Sequence, residues 1–344
     1  MQDQFLLQLC ILPLTVILHV RPTYHQLMII LASFIVAKLV ECSGLGDSTK
    51  YHNNQQLYHQ LRQMTRTYPN NAFLYSIGTS VNGEQLWVIA ISSDRPSEHV
   101  LLRPEIKYVG NIHGNEAVGR EMILRFANYL LRQHGKDLGI TKLLNSSRIH
   151  LLPSMNPDGF VNSMEGMCET VRGNSRNNVN LKDLNRDFPD LIVEKEDVPQ
   201  PETQAVMDWL KRIPFVLTAN LHGGAMVVNY PYDNNEENER RYTISPDDKL
   251  FRHISRVYAD HHPTLKRGCP EDYFVDGITN GAAWYPVIGG MQDYNYGFHH
   301  VIATTIEISC CKYPPGRELP KFWRENRISM LRYMQEINRG WKTR

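Results

Sequence analysis

The sequence has no basic run longer than two residues, no repeat of about 20–50 residues and no low-complexity tract. Its 37 Lys and Arg balance 36 Asp and Glu. A nucleic-acid partner requires concentrated positive charge, and solenoids require periodic self-similarity, so both classes are disfavoured. The 344 residues, 42% of them apolar, suffice for one large α/β domain.

Long hydrophobic runs are also missing. Phe5 to Val20 contains three polar residues, and Leu27 to Ala37 is an unbroken apolar run of only 11. A membrane-spanning helix needs about 18 residues, whereas the second run has the length of a signal-peptide core. We expect residues 1–44 to be a hydrophobic leader, either a signal peptide or an uncleaved N-terminal anchor that associates with a membrane. Met28 is an alternative start. Residues 45–344 are then the folded domain.

Cysteine is scarce: beyond the leader there are four, Cys168, Cys269, Cys310 and Cys311. Adjacent cysteines after a strand-like run should point to opposite faces, and a bridge between neighbours would be strained. Cys310 and Cys311 are therefore each expected to pair with Cys168 or Cys269, with the choice left open. Four free thiols in a cytosolic protein are the alternative. The disulfide interpretation and a glycosylation sequon at Asn145 favour the secretory pathway, with an extracellular or vesicle-lumen destination.

Strand-like and helix-like segments alternate along residues 45–344. Strands are predicted at Glu84 to Ser92, Glu105 to Ile112, Ser147 to Leu152, Phe215 to Leu221 and Val301 to Ser309. Helices are predicted at Asn53 to Met64, Ala117 to Gln133, Glu202 to Arg212, Ser245 to Ala259 and Pro320 to Asn338. This order predicts an α/β fold with a mixed, mostly parallel central β-sheet flanked by helices on both faces.

Two histidines and a glutamate occur where strands end. His113 follows the second predicted strand, Glu116 comes three residues later, and His222 follows Phe215 to Leu221 directly. The carboxyl ends of such strands are where α/β proteins build their sites. Two His and one Glu form a catalytic zinc set, with the fourth position left for water. A structural zinc site would need a fourth ligand, and none is suitably spaced.

Seven motifs occur in one order: HGNE, NPDGF, DLNRDFPD, LHGG, NGAAWY, GGMQDYNY and TIEISCCKYP. In this order the chain resembles the M14 metallocarboxypeptidases, in particular the regulatory branch that includes carboxypeptidases D, E, M and N. The resemblance covers about residues 50–340. It implies the zinc carboxypeptidase fold and one Zn²⁺ per chain, held by His113, Glu116 and His222. That branch usually adds a C-terminal transthyretin-like β-sandwich. We expect the fold without it, because the sequence stops soon after the last predicted helix.

The resemblance also implies roles for residues beyond the metal. Glu307, inside an apolar strand, would be the general base. Arg176 would stabilise the oxyanion. Asn185 and Arg186 would bind the substrate carboxylate, for which the planar guanidinium is well shaped. Asp183 would orient a ligating histidine from the second shell of the metal.

Specificity is expected to depend on a pocket carboxylate. By resemblance, Tyr285 would close over the substrate and Asp233 would pair with a Lys or Arg side chain, with Gln292 as a polar accessory. Asp187 replaces the Asn that is usual at this position of the family motif, and the sequence offers no account of it. The disulfides implied by the resemblance are Cys168–Cys311 and Cys269–Cys310.

The resemblance implies an exopeptidase that releases single C-terminal residues from peptides or proteins. We expect these residues to be Lys or Arg and the enzyme to be a monomer. One rival hypothesis is a catalytically inactive binding protein on the same fold, but the candidate ligands and Glu307 are all present. A second is a zinc acyl hydrolase with another substrate, such as a deacylase. Asp233 argues against an acidic substrate side chain.

Overall fold

The computed structural model describes residues 45–169 and 175–339. The predicted leader, residues 1–44, lies outside the described residues, so the leader and its boundary stay predictions. Within the described ranges, no helix is long and apolar enough to cross a bilayer.

Eight strands form one sheet: β1 (Ala72–Thr79), β2 (Gln85–Ile91), β3 (Glu105–Gly110), β4 (Arg148–Leu152), β5 (Phe215–His222), β6 (Met226–Tyr230), β7 (Ile278–Asn280) and β8 (Ile302–Ile308). The α-helices of the described ranges are α1 (Asn54–Thr67), α2 (Val118–Gln133), α3 (Leu138–Ser146), α4 (Pro157–Val161), α5 (Pro201–Arg212), α6 (Asp248–His261), α7 (Gly281–Trp284), α8 (Met291–His299) and α9 (Leu319–Gln335).

All ten predicted segments are present with shifted ends, but one predicted helix start is wrong. Ser245 does not cap α6. Its backbone carbonyl oxygen accepts from the Asp248 N–H in a turn that precedes the helix, and the helix begins at Asp248. Sequence reasoning missed β1, α3, β6 and α8, among others. β6 is only five residues long and follows a Gly-Gly pair, which made it resemble a loop.

The strand order is β1-β2-β4-β3-β5-β8-β6-β7. The central strands β4, β3, β5 and β8 run parallel, as do β6 and β7, while β1–β2, β2–β4 and β6–β8 are antiparallel. The predicted mixed sheet is confirmed, with its parallel part at the centre.

Both faces of the sheet are covered. In β3, Ile106 and Tyr108 join one apolar core, and Val109 joins a second. The first core includes residues of α1, α2, α3, α6 and α9, and the second includes residues of α5 and α8. This alternation explains why the central strands are buried along their length and why their open ends, rather than their faces, are available for a site.

Two disulfides join loops at the carboxyl end of β8. They are Cys168–Cys311 and Cys269–Cys310, the two pairs that the resemblance implied. Because the two half-cystines after β8 are adjacent, one short segment is tied to two distant parts of the chain.

Lys107 is a charged residue that the fold buries completely. Its Nζ lies 5.0 Å from the ring centroid of Trp209 and 4.9 Å from that of Phe215. Within the described residues this Nζ has no hydrogen-bond partner. Burial lowers the pKa of Lys107 to about 7. The aromatic faces offset only part of the desolvation cost of a charged ammonium.

We expect Lys107→Met to stabilise the fold by about 1–3 kcal/mol at about pH 7. In wild type, the unfolded lysine binds a proton up to about pH 10.4 and the folded one only up to about pH 7. Stability should therefore rise with pH across this window, so the advantage of the variant should shrink. Urea unfolding at about pH 7 and about pH 9 measures both effects, with the exposed Lys211→Met as control. A variant that is less stable at both pH values would contradict this account.

Candidate metal centre and active site

His113, Glu116 and His222 meet at the carboxyl end of the parallel strands. His113 Nδ1 lies 3.0 Å from Glu116 Oε1, and His222 Nδ1 lies 3.0 Å from Glu116 Oε2. One ligand atom from each residue lies within 4.8 Å of the others, and all three residues are buried. Within the described residues this is the group of His, Cys, Asp and Glu with the geometry to hold a metal ion.

A tight turn after β3 brings the first two residues together. Asn111 adopts a left-handed conformation and its Nδ2 donates to the carbonyls of His113 and Gly114. Gly114 is required by close approach, because a Cβ there would lie 2.1 Å from the Gly159 carbonyl carbon and 2.4 Å from Ser175 O. The turn therefore packs directly on the loop that carries Arg176.

The Glu116 carboxylate is the most heavily contacted group of the site. Its Oε1 accepts from Lys312 Nζ at 2.7 Å and from Arg176 Nη1 at 3.2 Å, and its Oε2 accepts from the Gly223 N–H at 3.2 Å. Burial alone would raise the pKa of Glu116, but His113, Lys312 and His222 hold it well below its ordinary value. The group is therefore an anion, as a metal ligand must be.

Each histidine has a partner on its other ring nitrogen. His113 Nε2 lies 3.0 Å from Asp183 Oδ1, and His222 Nε2 lies 2.6 Å from the Asn220 side-chain amide. Asp183 Oδ1 can only accept, so His113 Nε2 carries the proton and His113 Nδ1 faces Glu116 with a free lone pair. The atom beside His222 Nε2 is Asn220 Nδ2, a donor, so the same tautomer of His222 requires the amide to present Oδ1, which has no hydrogen-bond partner in the described residues. His113 Nδ1 is buried and lacks a hydrogen-bond partner in the described ranges. These donors fit Zn²⁺, whose ligands include imidazole nitrogen and carboxylate oxygen.

Glu307 lies beside this group because of strand register. It pairs with His222 across β5 and β8, and its Oε1 is 3.9 Å from His222 Nδ1. Its Oε2 is buried without a hydrogen-bond partner in the described part of the chain. Burial raises the pKa of Glu307 to about 7. A carboxylate with a free oxygen and such a pKa is suited to exchange protons.

Arg176 bridges the metal group and Asp183. Its Nε donates to Asp183 Oδ2 at 3.1 Å, while its Nη1 reaches Glu116. Burial would raise the pKa of Asp183, yet His113 and Arg176 lower it far below its ordinary value. Asp183 thus fixes both a candidate ligand and a cation that lines the cavity.

The cavity has a volume of about 140 Å³. Besides the metal group, Glu307 and Arg176, its lining includes Asn185, Tyr285, Asp233 and Lys312. Asn185 Oδ1 accepts from the Met291 N–H at 3.0 Å, which leaves its NH₂ free to donate. Tyr285 is 40% exposed and packs edge-on against Trp284. Arg186 does not line the cavity. Burial raises the pKa of Tyr285 to about 12 and also raises that of Asp233, and the positive charge of Arg186 opposes both shifts.

Asp233 forms a buried acidic group with its neighbours. Gln292 Nε2 donates to Asp233 Oδ1 at 2.8 Å, and the Asp233 N–H donates to Asp293 Oδ2 at 2.8 Å. Burial raises the pKa of Asp233 to about 7 and that of Asp293 well above its ordinary value. Gly281 makes room for the carboxylate, since a Cβ there would lie 1.8 Å from Asp233 Oδ1.

Sequence reasoning overlooked Lys312, Asn220 and Asp293. Lys312 and Asp293 lie inside the motifs TIEISCCKYP and GGMQDYNY, so membership of a motif was the available signal. Asp187 Oδ2 accepts from the Gln200 N–H at 2.7 Å, directly before α5. The oxygen of an asparagine could accept the same bond, so nothing in the structure explains the carboxylate at this position. Asn145 of the sequon is exposed in the last turn of α3.

Comparison with known proteins agrees with this geometry. The zinc carboxypeptidase family (peptidase M14) matches residues 57–329. Rat carboxypeptidase D is 48% identical over 298 residues, which cover 85% of this chain and 21% of that protein. Mouse carboxypeptidase M is 43% identical over 299 residues, covering 85% of this chain and 67% of the relative.

The chain thus spans about a fifth of the length of its carboxypeptidase D relatives. Among solved structures, thrombin-activatable fibrinolysis inhibitor superposes with a TM-score of 0.68 at 18% identity, covering 85% of this chain and 76% of that one. This structural likeness shows the shared fold. The family match extends over most of the residues that build the site, and the chain belongs to the M14 zinc carboxypeptidases.

Proposed function

We propose that this protein is a zinc-dependent carboxypeptidase that releases single C-terminal Lys or Arg residues from peptides or proteins. One observation carries the proposal: a single cavity is lined by a candidate zinc group, a buried glutamate with a free oxygen and a buried aspartate. A peptide whose last residue has a cationic side chain complements all three.

Recognition of a free C-terminus is assigned to Asn185 and Arg186. Because Asn185 Oδ1 accepts from the Met291 N–H, its NH₂ group remains available to donate to a substrate. Arg186 adds positive charge next to the cavity. A carboxylate between these groups would receive charge-assisted hydrogen bonds. An internal peptide bond has no such charge, and this difference restricts the enzyme to chain ends.

The preference for a basic residue is assigned to Asp233. Gln292 Oε1 is buried and lacks a hydrogen-bond partner in the described ranges, so it is a second acceptor beside the Asp233 carboxylate. An ammonium or guanidinium would satisfy both acceptors. It would also favour the charged form of Asp233, whose pKa burial otherwise raises.

In the proposed reaction, His113, Glu116 and His222 hold the ion. When bound, zinc supplies a Lewis acid that polarises the scissile carbonyl and makes water more acidic. Glu307 accepts a proton from the attacking water and delivers it to the nitrogen of the leaving amino acid. Arg176 stabilises the negative charge that develops on the carbonyl oxygen.

The setting of the enzyme is also a proposal. The two disulfides and the exposed Asn145 support a secreted glycoprotein in the secretory pathway. We also propose that it acts as a monomer. The rival hypothesis of an inactive binding protein is disfavoured because the candidate ligands and Glu307 form one connected group.

Metal content gives the first test. We expect one zinc per folded chain, and loss of activity with a chelator. Asp183→Asn should weaken zinc affinity about 10–100-fold because it removes the negative charge beside His113 Nε2 and turns an NH₂ donor toward either His113 or Arg176. Competition with a fluorescent chelator measures this. The control is Asp187→Asn, which alters a carboxylate whose hydrogen bond within the described residues is to the Gln200 N–H. Hydrolysis by folded, zinc-free protein would refute the metal mechanism.

Glu307→Gln should retain zinc and peptide binding but lower kcat by about 10²–10⁴-fold, because the main proton acceptor is removed. Steady-state kinetics and elemental analysis of the same sample test both statements. Glu336→Gln, a change at a buried glutamate outside the cavity, should keep the wild-type kcat. If Glu307→Gln turns over at the wild-type rate, the proton acceptor is another group.

Asp233→Ala should lower kcat/KM for peptides ending in Arg or Lys by about 10²–10⁴-fold, because it strands a cation in a buried pocket. Peptides ending in an apolar residue should lose much less, since their carboxylate still meets Asn185 and Arg186. Hippuryl-type substrates ending in Arg, Lys, Phe or Glu provide the comparison. Equal losses for all substrates, or no loss, would reject Asp233 as the specificity residue.

A further inference from the structure

Asp190 ends the DLNRDFPD motif, and no step of the proposed reaction uses it. Its Oδ1 accepts from the backbone N–H groups of Ile192 at 2.9 Å and Val193 at 3.0 Å. Its Oδ2 accepts from the Gly289 N–H at 2.8 Å. Both oxygens also accept from Asn234 Nδ2, at 3.1 and 2.9 Å. One carboxylate therefore joins three separate parts of the chain.

Each of these parts carries or directly adjoins a recognition residue. Residues 183–190, the carboxylate loop, include Asn185 and Arg186. Residues 231–235, the Asp233 segment, include Asn234 directly after Asp233. Residues 286–290, the Gly289 turn, lie between Tyr285 and α8. Asp190 belongs to the first part and binds the other two directly.

Other contacts join these parts in pairs. The Phe188 N–H donates to Gly289 O at 3.1 Å, and the Val287 N–H donates to Asp233 O at 2.8 Å. Lys195 Nζ contacts the carbonyl oxygens of Arg186 and Phe188. Asp190 contributes the direct hydrogen bond between the carboxylate loop and the Asp233 segment, through Asn234.

The chemistry of the site requires a carboxylate. All four partner groups are N–H donors, and an ionised carboxylate is a side chain that only accepts. An amide at position 190 would turn its own NH₂ toward one of these donors. Burial alone would raise the pKa of Asp190, but the N–H groups of Gly289, Val193 and Ile192 hold it below its ordinary value. The bonds are therefore charge-assisted and strong.

We propose that Asp190 is a positioning residue that fixes the carboxylate loop, the Asp233 segment and the Gly289 turn relative to one another. The residue to be released is recognised at two points, its carboxylate and its side chain, and the spacing of the two points sets which side chains fit. This inference rests on the proposed function only for the identity of the preferred residue. The role of Asp190 in coupling the three segments follows from its hydrogen bonds and does not depend on the identity of the substrate.

The test uses the full-length, zinc-loaded protein and compares Asp190→Asn with wild type. We expect the ratio of kcat/KM between the best and the worst of Arg-, Lys-, Phe- and Glu-ending peptides to fall about tenfold, mainly through KM of the best substrate. Hydrogen–deuterium exchange should increase together in peptides covering 188–193, 231–235 and 286–290. Zinc content should stay at the wild-type level.

Asp137→Ala is the matched control. Asp137 caps α3 by accepting from the Ile140 N–H, away from the cavity, so this change lowers stability without altering the three segments. It should leave the selectivity ratio and their exchange unchanged. The inference is overturned if Asp190→Asn lowers kcat/KM equally for all four peptides, or if exchange rises in only one segment. A wild type that prefers Phe or Glu would refute the proposed basic specificity, while the ratio and the exchange still decide the role of Asp190.

Discussion

The burial of the Glu116 carboxylate is the constraint on which the rest of the site depends. An unpaired buried anion is costly, so the fold must bring positive charge and N–H donors to it. Arg176, Lys312 and the Gly223 N–H supply these donors, and His113 and His222 bring their Nδ1 atoms to the same carboxylate. The carboxylate thus gathers β3, β5, the loop before Asp183 and the segment after β8 around one point.

Charge is divided between the two sides of the cavity. Near the metal group, Arg176 and Lys312 balance Glu116 and leave room for an ion. On the other side, Asp233 and Asp293 are buried together, without a comparable set of cations among the residues that the structure describes, and burial raises the pKa of both. A bound cation would offset the negative charge of this second region, so a cationic substrate side chain fits there rather than at the metal group.

Rigidity around the cavity comes from loops rather than helices. Asp183 fixes His113 and Arg176, and Asp190 joins the loops that face the substrate. Both residues belong to one eight-residue motif, DLNRDFPD. The motif therefore acts as a scaffold for the site as well as a source of its binding groups.

The sequence by itself determined the family, the α/β fold with a mixed sheet, the candidate metal residues and Glu307, because motif order and strand ends can be read from local patterns. It could not find Lys312 or the role of Asp190, because Lys312 contacts Glu116, 196 residues away, and Asp190 contacts Gly289, 99 residues away. It also missed Asn220, which contacts His222. Asn220 is close in sequence, yet its contact with His222 requires side chains two apart in β5 to lie on the same face. The pairing of the cysteines followed from resemblance rather than from spacing. Tertiary structure alone decided which buried charges meet, because that depends on strand register and loop packing.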